Sequence, residues 1–225
     1  MASAKDRTNR LSEMDSQKQK EILDNHNAIR RDVQPSASNM LKMTWSDKAK
    51  ESAEKWAKKC IPKSSPSAER TVDGVICSDN ILQSTYSASW SEVIQVWQSK
   101  KSNFEYGLGA INAKRDVYSY TQLIWYKSHE VGCALAYCPQ NAFPFLFVCH
   151  YCPAGNIVEK VQTPYDEGPP CEACPNNCED KLCTNPCIYV DMKMDCPTLI
   201  SLFSCEEPAF GPKCQATCKC KAEIK

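Results

Sequence analysis

Apolar residues recur through the first hundred positions at helical spacing. Ile22, His26, Ile29 and Val33 stand four, three and four apart, which puts them on one face of a helix over 17–33. A second helix, over 47–60, follows Ser46, whose hydroxyl suits a helix N-terminus, and sets Ala49, Ala53, Trp56, Ala57 and Cys60 on one face. Ser89-Trp-Ser-Glu92 has the spacing of a capping box, and Val93, Val96, Trp97 and Phe104 continue its apolar face. Further along, the period shortens. Val117 to Trp125, Val131 to Tyr137 and Phe145 to Tyr151 are rich in β-branched and aromatic residues, with loops short enough for an antiparallel sheet. Helices first and strands later predict helices packed on that sheet, an α+β sandwich.

Cysteine changes this picture. The chain of 225 residues holds 16, six of them in 1–170 and ten in 171–225. An even and large number points to a disulfide framework of up to eight bridges in an oxidising compartment. A structural metal would need tetrahedral Cys or His sets. Cys171, Cys174, Cys178 and Cys183 have the spacing for one, but the other twelve cysteines do not divide that way. The density shift coincides with Gly168-Pro169-Pro170, which reads as a linker between a larger domain with a hydrophobic core and a stapled tail. A tail of 55 residues buries too little apolar surface to stand without crosslinks.

Charge excludes more than it suggests. The 27 basic and 27 acidic side chains cancel, and the tail is neutral as well, so nothing favours nucleic acid or an anionic membrane. Apolar runs such as 146–149 are too short to cross a bilayer. The N-terminus lacks an export core, so the chain reads as a mature or expressed form with Met1 an added start. No Asn-x-Ser/Thr acceptor for glycosylation is present. Of the three histidines, His26 reads as a structural residue on its helix, His129 as an exposed turn residue and His150 as a packed strand residue. Ser119 with His129 or Asp79 could evoke a Ser–His–Asp set, but no Gly-x-Ser-x-Gly elbow supports it. Cysteines held in disulfides offer no thiolate, so no enzyme activity is expected.

Several strings together resemble the cysteine-rich secretory proteins, a branch of the CAP superfamily. They are His26-Asn27-x-x-Arg30-Arg31, Pro35-x-Ala-Ser-Asn-Met-Leu-Lys-Met43-x-Trp45, Tyr120-Thr-Gln-Leu-Ile-Trp125 and Cys149-His-Tyr-Cys-Pro-Ala-Gly-Asn156. The tail adds Thr163-Pro-Tyr165, Gly168-Pro-Pro-Cys171 and Leu182-Cys-Thr-Asn-Pro-Cys187, and is most similar to mammalian epididymal, sperm-coating members. The resemblance implies a flexible segment 1–16, an α-β-α sandwich CAP domain over 17–165, a disulfide-knotted hinge over 166–186 and a toxin-like, mostly helical, ion-channel-regulatory module over 187–225. It also implies the pairs Cys60–Cys138, Cys77–Cys152, Cys133–Cys149, Cys171–Cys178, Cys174–Cys183, Cys187–Cys220, Cys196–Cys214 and Cys205–Cys218, which composition alone cannot choose.

Many CAP domains hold two histidines and two acids in a cleft able to bind zinc. The matching positions here are Ser64, Asp79, Lys100 and Ser119, so neither a metal nor a cofactor is expected. Asp79 and Lys100 could form an ion pair across that cleft. In the tail, Tyr189, Phe203, Phe210 and Lys213 are candidate contacts with a channel; Phe203 and Phe210 could equally fill the small core, and Lys213 could simply be solvated. The resemblance therefore implies a secreted, non-enzymatic modulator of cation channels on sperm, such as the cold- and menthol-sensing TRP channel, acting in sperm maturation and fertilisation. Adhesion to an egg-surface protein through the CAP domain and sterol or lipid carriage are the rival expectations.

Overall fold

The computed structural model describes residues 13–193 and 195–225. Most of the expected flexible segment 1–16 lies outside the described residues. The helices are α1 (Ser16–Arg31), α2 (Asp47–Ala57), α3 (Trp90–Gln98), α4 (Tyr118–Leu123), α5 (Cys196–Phe203) and α6 (Gln215–Lys219). The strands are β1 (Thr44–Trp45), β2 (Thr71–Val72), β3 (Val75–Ile76), β4 (Ser78–Ser84), β5 (Phe104–Glu105), β6 (Gly109–Ala110), β7 (Glu130–Tyr137), β8 (Phe145–Cys152), β9 (Cys178–Glu179) and β10 (Leu182–Cys183).

One four-stranded sheet, ordered β1-β7-β8-β4, forms the middle layer; β1 runs parallel to β7 and the other pairs are antiparallel. Successive strand residues face opposite sides, so each long strand serves two cores. Val131, Cys133, Leu135, Phe147, Cys149 and Tyr151 meet Ile22 and Ile29 of α1 and Val93, Ile94 and Trp97 of α3. The alternate residues Ala134, Leu146 and Val148 meet Ala53, Trp56 and Ala57 of α2. Small residues let α2 lie close to the sheet. A Cβ on Gly132 would stand 2.0 Å from the backbone nitrogen of Lys50, so only glycine fits there. The result is an α-β-α sandwich.

The caps explain where the helices begin. Asp15 accepts from the Lys18 amide at the start of α1, Ser46 accepts from Ala49 at α2, and Ser89 with Glu92 forms a complete capping box at α3. Four readings of the sequence are corrected. The segment read as a strand over 117–125 contains the helix α4: Tyr120, Thr121, Gln122 and Leu123 are buried on it, and packing overrides the β propensity of Tyr120 and Thr121. Helix α2 stops at Ala57, and Cys60 takes a positive φ of 58° beyond it. Val96 faces solvent. The polar strand β4, rich in residues depleted from strands, went unread.

The segment after the sandwich folds back onto it. Asp166 accepts from the Ser38 amide at 2.8 Å and exchanges two side-chain bonds with Asn39, and Tyr165 donates to the Pro35 carbonyl at 2.8 Å. Cys183 exchanges backbone hydrogen bonds with Met40 and Lys42, and Asp180 pairs with Arg31 at 3.1 Å. A linker tied by this many main-chain bonds is an extension of the sandwich wall rather than a loose tether.

Candidate functional site

The four cleft positions are not brought into one ligand set. Both carboxylate oxygens of Asp79 are taken: Ser64 Oγ donates to one at 2.5 Å, and the Ser65 amide and hydroxyl donate to the other at 2.7 and 2.8 Å. Ser119 Oγ turns to Asp116 at 3.5 Å, while its carbonyl accepts from Asn80 at 2.9 Å. Lys100 sits in the 3-10 turn Ser99–Asn103, and Asp79 spends its charge on serines instead of on Lys100; the expected ion pair is not formed. One engaged carboxylate, two hydroxyls and a cation do not suit zinc, which takes imidazole, thiolate and free carboxylate.

The histidines are structural groups held neutral. His26 is fully buried; its Nδ1–H donates to the Ile22 carbonyl at 2.7 Å, which leaves Nε2 to accept from Tyr151 at 3.0 Å. Burial is the main cause that lowers its pKa to about 4, with the nearby Arg30 charge adding to it. His150, on β8, meets Ser52 Oγ at 3.0 Å through Nδ1, and its Nε2 has no hydrogen-bond partner. Burial lowers its pKa to about 4 as well; Asp79 opposes the shift and Arg70 assists it. His129 is half-buried, not exposed as its turn suggested: its Nδ1 meets the Lys127 carbonyl at 3.1 Å, and it shares a cavity with Cys187 and Ile188 of the terminal module.

These shifts set an acid limit on stability. The unfolded chain takes up protons at both histidines below about pH 6.5, whereas the folded chain resists until about pH 4. Their contribution is therefore intact above pH 6.5 and is lost as the pH falls through 4, on the order of 3 kcal/mol for each group. Denaturant midpoints measured from pH 7 to 4 should fall steadily, and His26→Gln should flatten the slope. A midpoint independent of pH over that range would contradict the assignment.

The sixteen cysteines are all paired, in the same eight pairs that the resemblance implies. Cys171, Cys174 and Cys183 crowd together within 4.8 Å, but their sulfurs are spent in Cys171–Cys178 and Cys174–Cys183, so they offer no thiolate to a metal.

The terminal module turns the usual distribution of residues inside out. Its buried residues among those described are Cys187, Cys196, Gly211, Cys214, Ala216, Cys220 and Ile224, so cystine forms its interior. Apolar side chains are left outside: Ile188 is 80% exposed, Met192 78%, Leu202 70% and Phe203 51%. Phe203 and Phe210 stack at 5.0 Å between ring centroids, and Lys193 lies 5.7 Å from the Phe210 ring. Lys213 is exposed beside them, whereas Tyr189 is half-buried under Lys219, 4.3 Å from its ring. A Cβ on Gly211 would stand 2.1 Å from the Cys205 carbonyl oxygen, so the turn carrying Phe210 is pressed against the bridge Cys205–Cys218. Sequence reasoning singled out Phe203 and Phe210 but passed over Leu202 and Met192. The available signal was cysteine density: ten of the 55 residues of 171–225 are cysteine, and a tail this short that fills its interior with cystine has little room there for aliphatic residues.

An α-β-α sandwich with every cysteine paired, carrying a cystine-cored module, defines a class of stapled proteins made for an oxidising compartment. The model of the cysteine-rich secretory protein family matches residues 23–151, and the Crisp model matches 171–225. The chain belongs to the cysteine-rich secretory protein family, and is a secreted, extracellular protein. Among solved structures it is similar to NaASP2, crystallised with Zn2+, at 26% identity and a TM-score of 0.62, over 76% of this chain and 97% of that one. Schistosoma mansoni venom allergen-like protein 4 matches at 23% identity and a TM-score of 0.57, over 68% and 97%. A hookworm platelet inhibitor matches at 20% and 0.56, over 78% and 94%. The last two likenesses concern the fold alone.

Proposed function

We propose that the protein is a non-enzymatic modulator of membrane cation channels, and that its terminal module makes the contact. The observation that carries this reading is the solvent-exposed pair Leu202 and Phe203, with Phe210 half-buried against Phe203 and flanked by Lys193 and Lys213, on a scaffold held by cystine. Exposed aromatic and aliphatic side chains on a rigid backbone lose little entropy on binding, so a small face can hold a partner. The flanking ammonium groups suit the acidic outer vestibule of a cation channel. The docked hinge fixes how the module is presented, with the sandwich serving as a second footing on the receptor.

The tail motifs that resemble epididymal members extend the reading to the sperm surface, with cation channels there, the cold- and menthol-sensing TRP channel among them, as the targets, and sperm maturation and fertilisation as the setting. Absence of catalysis belongs to the same proposal: the cleft holds neither a free carboxylate nor an activated nucleophile. The experiment is whole-cell recording of agonist-evoked current through sperm-type cation channels before and after adding full-length protein. Reversible inhibition is expected; unchanged current at micromolar protein across several channel types would overturn the reading.

A further inference from the structure

A groove of about 470 Å³ runs between the sandwich and the terminal module, a size typical of small-molecule sites. The loop after α4 and the turn Val158–Lys160 form one wall, and the start of the terminal module forms the other. Trp125, Ile157 and Met192 make part of its lining apolar.

Its charge is one-sided. Among side chains, Lys127, Lys160, Lys193 and Lys225 line it against a single acid, Asp191, while the Lys225 main-chain oxygen accepts from the Tyr126 hydroxyl at 2.8 Å. Asp191 is already engaged, accepting from the Thr217 amide at 3.0 Å and hydroxyl at 2.7 Å. Lys225 donates to the Cys220 carbonyl at 3.0 Å, and Lys193 lies against Phe210. Among the described residues, Lys127 and Lys160 have neither an ion-pair nor a hydrogen-bond partner for their ammonium groups. Lys127 is also partly buried. Burial lowers its pKa first of all; Asp191 opposes that and the neighbouring Lys160 adds to it. Two neighbouring cations, one of them partly desolvated, make the groove favourable to an added anion.

We propose that this groove binds a small amphiphilic anion, with its apolar body against Trp125, Ile157 and Met192 and a sulfate, phosphate or carboxylate head between Lys127 and Lys160. The site is separate from the zinc-type cleft and borders the channel-facing aromatic pair at Lys193. It joins two bodies of the chain, so the ligand would also brace the module against the sandwich.

The test is calorimetric titration of the full chain with decyl sulfate, decyl phosphate and decanoate below their micelle concentrations, with decanol and inorganic sulfate as the uncharged and headgroup-only probes. Saturable one-to-one binding is expected for at least one decyl anion, at least tenfold tighter than for decanol or inorganic sulfate; the ranking of the three anions identifies the head. Lys127→Gln with Lys160→Gln should weaken it at least tenfold, whereas Lys55→Gln, at an exposed site on α2, should not. Thermal melting checks that the variants fold. In the unaltered protein, the Met192 methyl resonance should shift on titration. Equal binding of decanol, no binding by any decyl anion, unchanged binding by the double lysine variant or a Met192 methyl that stays put would each overturn the site.

Discussion

Arg30→Met should destabilise the protein by about 4 kcal/mol, among the largest effects of any single substitution. The guanidinium is 1% exposed and no carboxylate neutralises it. Five backbone carbonyls do the work of water: Leu41 on Nε at 2.8 Å, Leu123 and Trp125 on one terminal nitrogen, Tyr126 and Ser128 on the other, at 2.9 to 3.0 Å. All five N–H donors of the fork are used. Burial pulls its pKa down to about 9, with the Tyr151 hydroxyl opposing, so the group is still a cation at neutral pH. Methionine fills much of the volume and removes the charge, but it orphans buried carbonyls that cost roughly 1–3 kcal/mol apiece where nothing else relaxes to meet them. Lysine, with three donors on one nitrogen, cannot serve carbonyls spread over this fork, so Arg30→Lys should recover only part of the loss. Urea unfolding of the three proteins at pH 7 measures this. A methionine variant within 1 kcal/mol of the parent would mean that desolvating the cation cancels its hydrogen bonds. Because Arg30 holds the loop 123–128, the same substitution should also loosen the groove wall at Trp125 and Lys127.

Replacing both Cys196 and Cys214 by alanine should melt the terminal module while leaving the sandwich folded. The bridge spans 18 residues, and the constraint it puts on the unfolded chain is worth about 3 kcal/mol. A sandwich with a large apolar core could absorb that loss. The module cannot, because its interior is little more than Cys187, Cys196, Gly211, Cys214, Ala216, Cys220 and Ile224. Amide resonances from residues 187–225 should collapse toward random-coil positions, and those from β7 and β8 should stay in place. A module spectrum that survives intact would show that Ile224 and the two other bridges suffice. Collapse of both would show that the sandwich leans on the module more than the docked hinge suggests.

The fold was legible where one physical signal dominated. Helical spacing and the Ser89–Glu92 box located α1, α2 and α3, and β-branched and aromatic content between short loops located β7 and β8. Reading failed where local preference and packing disagreed. Tyr120-Thr121 favours a strand by composition, yet it lies in a short helix whose residues from Tyr120 to Leu123 are all buried. Ser78-Asp79-Asn80 disfavours a strand, yet seven residues pair with β8 from Ser78 to Ser84. The cleft was legible as four residue types, and its loss of ligand character followed from them, but Ser65 as the partner of Asp79 needed three dimensions. Arg30 lay inside a motif string without any sign that it solvates a loop nearly a hundred residues away. The paired lysines of the groove come from two loops, distant in sequence, that form one wall, a juxtaposition no periodicity encodes.

The central claim is that Phe203, exposed on the terminal module and stacked on the half-buried Phe210, makes the channel contact. It is tested most directly by dose–response curves for inhibition of agonist-evoked current, comparing the full-length protein with Phe203→Ser and with Leu108→Ser, an equally exposed apolar position on the sandwich. The half-inhibitory concentration should rise at least tenfold for Phe203→Ser, as expected for an aromatic anchor, and stay within twofold for Leu108→Ser, with thermal stability unchanged in both. Equal potency of the parent and Phe203→Ser would contradict the claim and move the contact off this face of the module.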